Sequence, residues 1–177
     1  MGVIFLAGSY GVGKSTLSHE LSLELNLPEY SAGDLISQCN GETYGANKVV
    51  KDKFNNQKIL IKRVSQILEN NKKIILAGHF CIFNRNNRIE FLPDFVYKNI
   101  YIEKIILLKA AEETIVRNLM NRDQKKYSLD NIKKFQSAEE QSAINCAKVL
   151  DCGIYIHNML YDGNDVKSCL SYLQGEH

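Results

Sequence analysis

Neither sign of charge dominates this chain: 22 basic side chains stand against 20 acidic ones, a formal net charge of +2. So close a balance gives no global field of the kind a nucleic-acid or membrane-surface protein uses, and any basic function has to be local. The five cysteines, at 39, 81, 146, 152 and 169, are scattered with no Cys-x-x-Cys pair, so neither a zinc site nor a disulfide framework is indicated. They read as small buried apolar residues of a protein kept in a reducing compartment. No apolar stretch approaches the roughly 20 residues of a membrane span. The opening Met1-Gly2-Val3-Ile4-Phe5-Leu6-Ala7 is apolar but has no basic segment before it and runs straight into a glycine loop, which argues against a signal peptide. Repeats, low-complexity tracts and linkers are also missing, so a soluble cytoplasmic protein without a membrane partner is expected.

What is present is a chain of 177 residues, 45% hydrophobic, matched to one globular domain with a core of its own. Short β-branched runs alternate with longer helical periodicities, the sequence form of an α/β fold with a parallel sheet. Strands are predicted over 3–7, 29–32, 73–78, 104–108 and 154–157. A helix is predicted over 14–26, with Leu17, Leu21 and Leu25 at i, i+4 spacing. Gly33-Asp34-Leu35-Ile36 reads as a turn opening another helix, and two more helical stretches are predicted over 46–55 and 57–70. That is too much helix for one crossover and suggests a small insertion. A helix after Ala110, a polar bend over 122–128 and a long helix over 129–150 complete the pattern. Ligands of such a sheet sit at the carboxyl ends of its strands.

The strand-to-helix junction carries the chemistry. Gly8-Ser9-Tyr10-Gly11-Val12-Gly13-Lys14-Ser15 meets every requirement of G-x-x-x-x-G-K-[ST], after one predicted strand and before one predicted helix. Backbone N–H groups of such a loop wrap a phosphate, and the helix behind it adds the partial positive charge of its N-terminus. Lys14 is expected on the β- and γ-phosphates, and Ser15 as a hydroxyl ligand of Mg²⁺. ATP with Mg²⁺ is the expected ligand, held by the run from Gly8 through Thr16. No Asn-Lys-x-Asp guanine signature is present, which leans toward adenine.

From this loop onward the chain resembles the nucleoside monophosphate kinase branch of P-loop proteins, and within it archaeal-type adenylate kinases and their small bacterial ATP-binding relatives. The residues that carry the likeness are the loop, Gly33-Asp34-Leu35, Leu76-Ala77-Gly78-His79, Ile115-Val116-Arg117 leading to Arg122-Asp123, and the segment from Ala143 through Ile156. The resemblance implies a P-loop three-layer α/β/α sandwich with a five-stranded parallel sheet of order 2-3-1-4-5. It also implies an acceptor site under a helical insertion at about 34–71, a short lid at about 122–128, and room for an oligomer. Arg117 and Arg122 match the family's lid-flanking arginines, which would screen charge on the transferring phosphoryl group.

Two positions depart from that pattern. Family members usually carry an aspartate where this chain has Ala77, a carboxylate that holds Mg²⁺ through water. Asp34 is the expected substitute if the Gly33 turn lies beside the loop, with His79, next to Gly78, hydrogen-bonding in the same region. Ser37 stands where many adenylate kinases, though not the archaeal type, place an arginine for the acceptor phosphate. Lys51, Lys62, Arg85 and Arg88 are candidate replacements, Arg88 foremost because it follows the strand-end loop. Glu139 falls on the apolar stripe of the long helix, where a carboxylate needs a partner such as Arg117 or Arg122; a small shift of helix phase would return it to water, and that is the reading taken. Phe80, Phe83, Phe91, Phe95 and Tyr97 cluster after the third strand, as a cap over the core or a wall for an acceptor base. The leading expectation is ATP-dependent phosphorylation of a nucleoside monophosphate or similar small acceptor. The alternatives are a nucleotide-dependent switch or slow ATPase acting through a partner, which Ala77 favours, and a kinase of nucleic-acid ends, which the near-neutral charge disfavours.

Overall fold

The computed structural model describes residues 2–40, 53–84 and 86–175. In chain order its elements are β1 (Gly2–Gly8), α1 (Lys14–Leu25), β2 (Glu29–Ser31), α2 (Ala32–Asn40), α3 (Lys53–Asn70), β3 (Lys73–Ala77), β4 (Cys81–Phe83), β5 (Ile89–Phe91), α4 (Asp94–Asn99), β6 (Ile102–Lys109), α5 (Glu112–Asp123), α6 (Leu129–Leu150), β7 (Gly153–Asn158) and α7 (Asp165–Gln174). Five strands form one parallel sheet in the order β2-β3-β1-β6-β7, while β4 and β5 pair antiparallel as a separate hairpin. Counted within the sheet alone, the order is 2-3-1-4-5, as expected. The hairpin is what sequence periodicity does not supply, because three residues are too few to show an alternation.

Alternation along the central strands sorts the core into two layers. Val3, Phe5 and Ala7 of β1 face one side with Ile74, Leu76, Ile105 and Leu107. Ile4 and Leu6 face the other with Ile75, Ile106 and Leu108. The first layer is closed by α2, α3, α4 and α6 through residues such as Leu60, Val64, Val96 and Phe135; the second by α1, α5 and α7 through Leu17, Leu21, Ile115, Leu119 and Cys169. A strand buried on both faces must read as a continuous apolar run, and β1 is buried at every position.

Several local expectations are corrected. Helix α2 starts at Ala32, so Gly33 and Asp34 lie inside its first turn rather than in a turn before it. Helix α3 begins at Lys53, four residues ahead of the expected start, and the expected helix over 46–55 lies outside the described residues up to 52. The aromatic stretch after β3 forms the hairpin and the short α4, and α7 was not anticipated. Helix α6 occupies the expected 129–150, with Ser128 accepting from the Asn131 N–H as its N-cap. Of the cysteines, Cys81 and Cys169 are buried, but Cys39 on α2 is exposed. Among the described residues no helix is long and apolar enough to cross a membrane.

Candidate active site at the glycine loop

The loop between β1 and α1 is a backbone cradle held by side chains from three other places. Gly13, at φ 100°, is the N-cap of α1 and supplies no side-chain cap, so the first N–H groups of that helix stay directed into the loop. Helices α4, α5, α6 and α7 each carry an acidic residue in the first turn; α1 carries none and has Lys14 there. The N-terminal end of α1 therefore keeps its positive field. The Lys14 ammonium donates to the carbonyls of Gly8 at 2.8 Å and Ser9 at 2.9 Å. Gly8 admits no substitute, since a Cβ there would lie 2.6 Å from the Leu108 carbonyl oxygen. Val12 is fully buried among Leu17, Ile115 and Leu119, and Ser9 is buried too, so both serve the cradle through backbone.

Two clamps on the loop have no signature in the sequence. The Asn118 side-chain amide on α5 donates to the Gly11 carbonyl at 2.9 Å, and the Tyr161 hydroxyl donates to the Val12 carbonyl at 3.2 Å. Tyr161 is itself fixed: Asp165 accepts from the Leu160 and Tyr161 N–H groups at 2.8 Å each and pairs with His157 Nε2 at 2.7 Å. Burial pushes the Asp165 carboxyl up, but these donors more than offset it and the group stays below its ordinary value. Asn118→Ala is expected to weaken nucleotide binding by about fivefold, the worth of one net hydrogen bond of ~1 kcal/mol, in an equilibrium titration with ATP.

A cavity of about 460 Å³ opens from the loop and runs under α2, α3, β4 and α4. Tyr10, Gly11, Gly13, Lys14, Ser15 and Thr16 line one end, and Gly33, Gly78, His79 and Arg122 from the expected set line it as well. Arg117 does not: it is exposed and borders a shallow hollow with Glu113, Val116 and Leu129. Helical geometry explains the difference, because Asn118 and Arg122 share a face at i, i+4 while Arg117 is turned a quarter-circle away. Arg122 is paired bidentately with Asp123 at 2.6 and 2.8 Å, and this pairing holds the Asp123 carboxyl down at about 2. Tyr127 also donates to Asp123. Asp34 and Arg88 are exposed and absent from the cavity wall, Asp34 because α2 starts early and Arg88 because it sits at the hairpin turn. Lys62 is likewise exposed on α3, and Lys51 and Arg85 lie outside the described residues.

The residue that the helix-phase argument returned to water is the most deeply set charge-bearing group at the site. Glu139 is 1% exposed, and its carboxylate accepts from the Phe80 N–H at 2.9 Å and the Cys81 N–H at 2.9 Å. Neither Arg117 nor Arg122 is its partner; His79 Nδ1 lies 3.4 Å away. Burial raises the Glu139 carboxyl to about 7, against the lowering pull of those two N–H groups and of the Lys14 charge. The Tyr97 hydroxyl donates to the His79 carbonyl at 3.0 Å, so the turn after β3 is tied from both sides. The His79 ring packs against that of Tyr10, tilted by 34° with 4.2 Å between ring centroids, joining this turn to the glycine loop.

Mg²⁺ keeps several waters and takes one or two protein oxygens besides substrate phosphates. The exposed Ser15 hydroxyl on the cavity wall fits that role. Ala77 presents a methyl group, and the described residues lining the cavity include no aspartate or glutamate. The site fits the ion through Ser15 and bound phosphates alone.

A parallel sheet of order 2-3-1-4-5 with a lysine-bearing glycine loop at the end of its central strand defines a kinase-like P-loop domain. The AAA domain family matches residues 7–136, and the chain belongs to that family. It is 27% identical over 168 residues to the cytidylate kinase of Methanosphaera stadtmanae, spanning 93% of this chain and 84% of that protein. To the adenylate kinase of Mycoplasma capricolum it is 28% identical over 131 residues, 67% of this chain and 58% of the relative. Among solved structures, shikimate kinase from Bacteroides thetaiotaomicron shares the fold with a TM-score of 0.59 at 18% identity, over 99% of this chain and 97% of that one.

Proposed function

We propose that the protein is an ATP-dependent kinase whose acceptor is a nucleoside monophosphate or a similarly compact molecule. The observation that carries this reading is one continuous cavity with Lys14 and Ser15 at one end and the walls of α2, α3 and α4 at the other, a donor end facing an acceptor end. The resemblance to a cytidylate kinase along most of both chains supports it.

Loop amides and Lys14 hold the β- and γ-phosphates of ATP, and Ser15 takes Mg²⁺. When bound, the ion neutralises charge on those phosphates. The bond between the γ-phosphorus and the bridging oxygen breaks, ADP leaves, and an acceptor phosphate oxygen forms the new bond, giving a nucleoside diphosphate. That oxygen is already ionised at neutral pH, so no side chain has to remove a proton. Arg122 reaches the transferring group by exchanging its pairing with Asp123 for one with phosphate.

The test is phosphoryl transfer from Mg·ATP to a panel of nucleoside mono- and diphosphates, shikimate and gluconate. Turnover of a nucleoside monophosphate is the expected result. If ATP binds while no acceptor is phosphorylated, the kinase reading fails. The second reading, a nucleotide-dependent switch or slow ATPase, is favoured by the cavity wall without a carboxylate at Ala77. It predicts tight binding with slow ATP consumption, and a gain of turnover in Ala77→Asp.

A further inference from the structure

The glycine loop carries one bulky side chain, and its surroundings set it apart from the rest of the cradle. Between Gly8 and Gly13, Ser9 and Val12 are buried and absent from the cavity wall, and Gly11 has no side chain. Tyr10, half-buried, is the loop residue there that brings a ring to the wall. That ring lies against His79 at 4.2 Å between centroids, against Phe135 of α6 at 5.2 Å, and against Phe83 of β4 at 6.2 Å with the planes 23° apart. Tyr10 packs on both core layers at once. On its other side the Lys14 ammonium lies 6.0 Å from the ring centroid. The ring therefore fills the joint where the donor end of the cavity, at Lys14, passes into the acceptor end under α2, α3 and α4. Phosphate binding does not call for it, because the cradle works through backbone N–H groups and is best served by small residues.

We infer that Tyr10 is a positioning residue that favours transfer over hydrolysis: its ring closes the joint beside the γ-phosphate to water and holds the turn that carries His79 in register with the loop. Lys14 is the group that meets the β- and γ-phosphates, so a ring beside its ammonium borders the reacting phosphorus. Water is the competitor to be kept out. Its oxygen attacks the γ-phosphorus, the bond to the bridging oxygen breaks, and ADP, inorganic phosphate and a proton released to solvent result, whereas an acceptor phosphate oxygen gives ADP and a nucleoside diphosphate. Cutting the ring back to a methyl group opens volume continuous with the cavity at Lys14 and unties the His79 turn from the loop. A misplacement of about 1 Å at the acceptor's seat costs on the order of 10²-fold in transfer. The transfer half of the inference rests on the kinase reading; the exclusion of water rests on the ring's own position.

The experiment measures two rates of the full chain with Mg·ATP: phosphate release without acceptor, and phosphoryl transfer to CMP, AMP and UMP. Wild type, Tyr10→Ala and Tyr10→Phe are compared, with ATP titration and thermal melting alongside. Expected for Tyr10→Ala is a ratio of hydrolysis to transfer raised by roughly tenfold or more, through faster phosphate release and slower transfer together. ATP binding weakens by much less, because the loop amides and Lys14 remain. Tyr10→Phe keeps the ring and brings the ratio back toward that of the wild type. Should the alanine variant fail to fold, Tyr10→Leu takes its place, keeping apolar contact without the width of a ring. A residue of purely structural value would slow both rates together; an unmoved ratio in a wild type that transfers therefore overturns the inference and leaves the kinase reading intact. A phenylalanine variant as leaky as the alanine one overturns it as well. If no monophosphate is phosphorylated, yet phosphate release rises in Tyr10→Ala and falls back in Tyr10→Phe, the kinase reading fails and the exclusion of water stands. Neither transfer nor a rise in phosphate release overturns both.

Discussion

Glu139→Ala lowers the stability of the folded protein by about 3 kcal/mol or more, equivalent to roughly 6–12 °C in Tm for a chain of this size. The carboxylate is buried to 1% exposure and is the acceptor for two backbone N–H groups, those of Phe80 and Cys81. Truncation leaves both donors without a partner and opens a void beneath the turn that carries His79. Glu139→Gln separates hydrogen bonding from charge. Both N–H groups reach the same oxygen, Oε1, at 2.9 Å, so one amide oxygen can keep both bonds and the loss should be ~1 kcal/mol or less. Thermal melting of the two variants distinguishes the cases; an alanine variant as stable as the glutamine one would remove Glu139 from the framework of the site.

The same residue sets a pH dependence whose sign follows from its burial. Its carboxyl is raised to about 7 in the folded chain, from 4.5. Between those values the folded state holds a proton that the unfolded state has released, so the stability it contributes is full below about 4.5 and is lost as pH rises through about 7. Lys14, His79, Cys81 and Tyr97 are the titratable groups around it. Burial, with the nearby Glu139 charge, also pushes the Cys81 thiol up to about 12 and the Tyr97 hydroxyl well above its usual range, so neither titrates across this window. Melting temperature measured from pH 5 to 8 should fall more steeply in the wild type than in Glu139→Gln.

The parts of this molecule that were legible in the sequence are those whose structure repeats. β1, β3 and β6 are buried on both faces and read as apolar runs; α6 carries its stripe through Ile132, Phe135 and Ala143, and both its ends matched. The glycine loop was legible for a different reason, since each specified residue answers a separate physical need. The hairpin of three-residue strands and the ten-residue α7 are too short to establish a period. Glu139 fell on the apolar stripe of α6, yet its partners could not be found from residue types, because the N–H groups of Phe80 and Cys81 are backbone donors that nearly every residue possesses. Arg117 and Arg122 were matched by spacing to a family pattern; which of them reaches the cavity was decided by the phase of α5, fixed by Ile115 and Leu119 in the core. Nothing in its residue type marks Gln57, which lines the cavity; the packing of α3 against α2 and α4 is what buries it.

Lys14→Ala reduces phosphoryl transfer by about 10²- to 10³-fold, the usual loss when one preorganised positive group is taken from a charged transition state. ATP binding should weaken much less, because the amides of the loop and the N-terminal end of α1 remain. Lys14→Arg is not expected to rescue the rate: the ammonium fits as a point charge 2.8 and 2.9 Å from the Gly8 and Ser9 carbonyls, where a planar guanidinium has no equivalent seat. The substitution has a second, independent signature. Lys14 is among the groups that hold the Glu139 carboxyl down, so its removal lets that carboxyl rise further above about 7. The pH at which the Glu139 contribution to stability disappears then moves upward, a shift visible in melting curves without any substrate. A lost rate with an unmoved pH profile would mean that Lys14 serves the phosphates without acting on Glu139; a moved profile with an intact rate would remove Lys14 from the chemistry altogether.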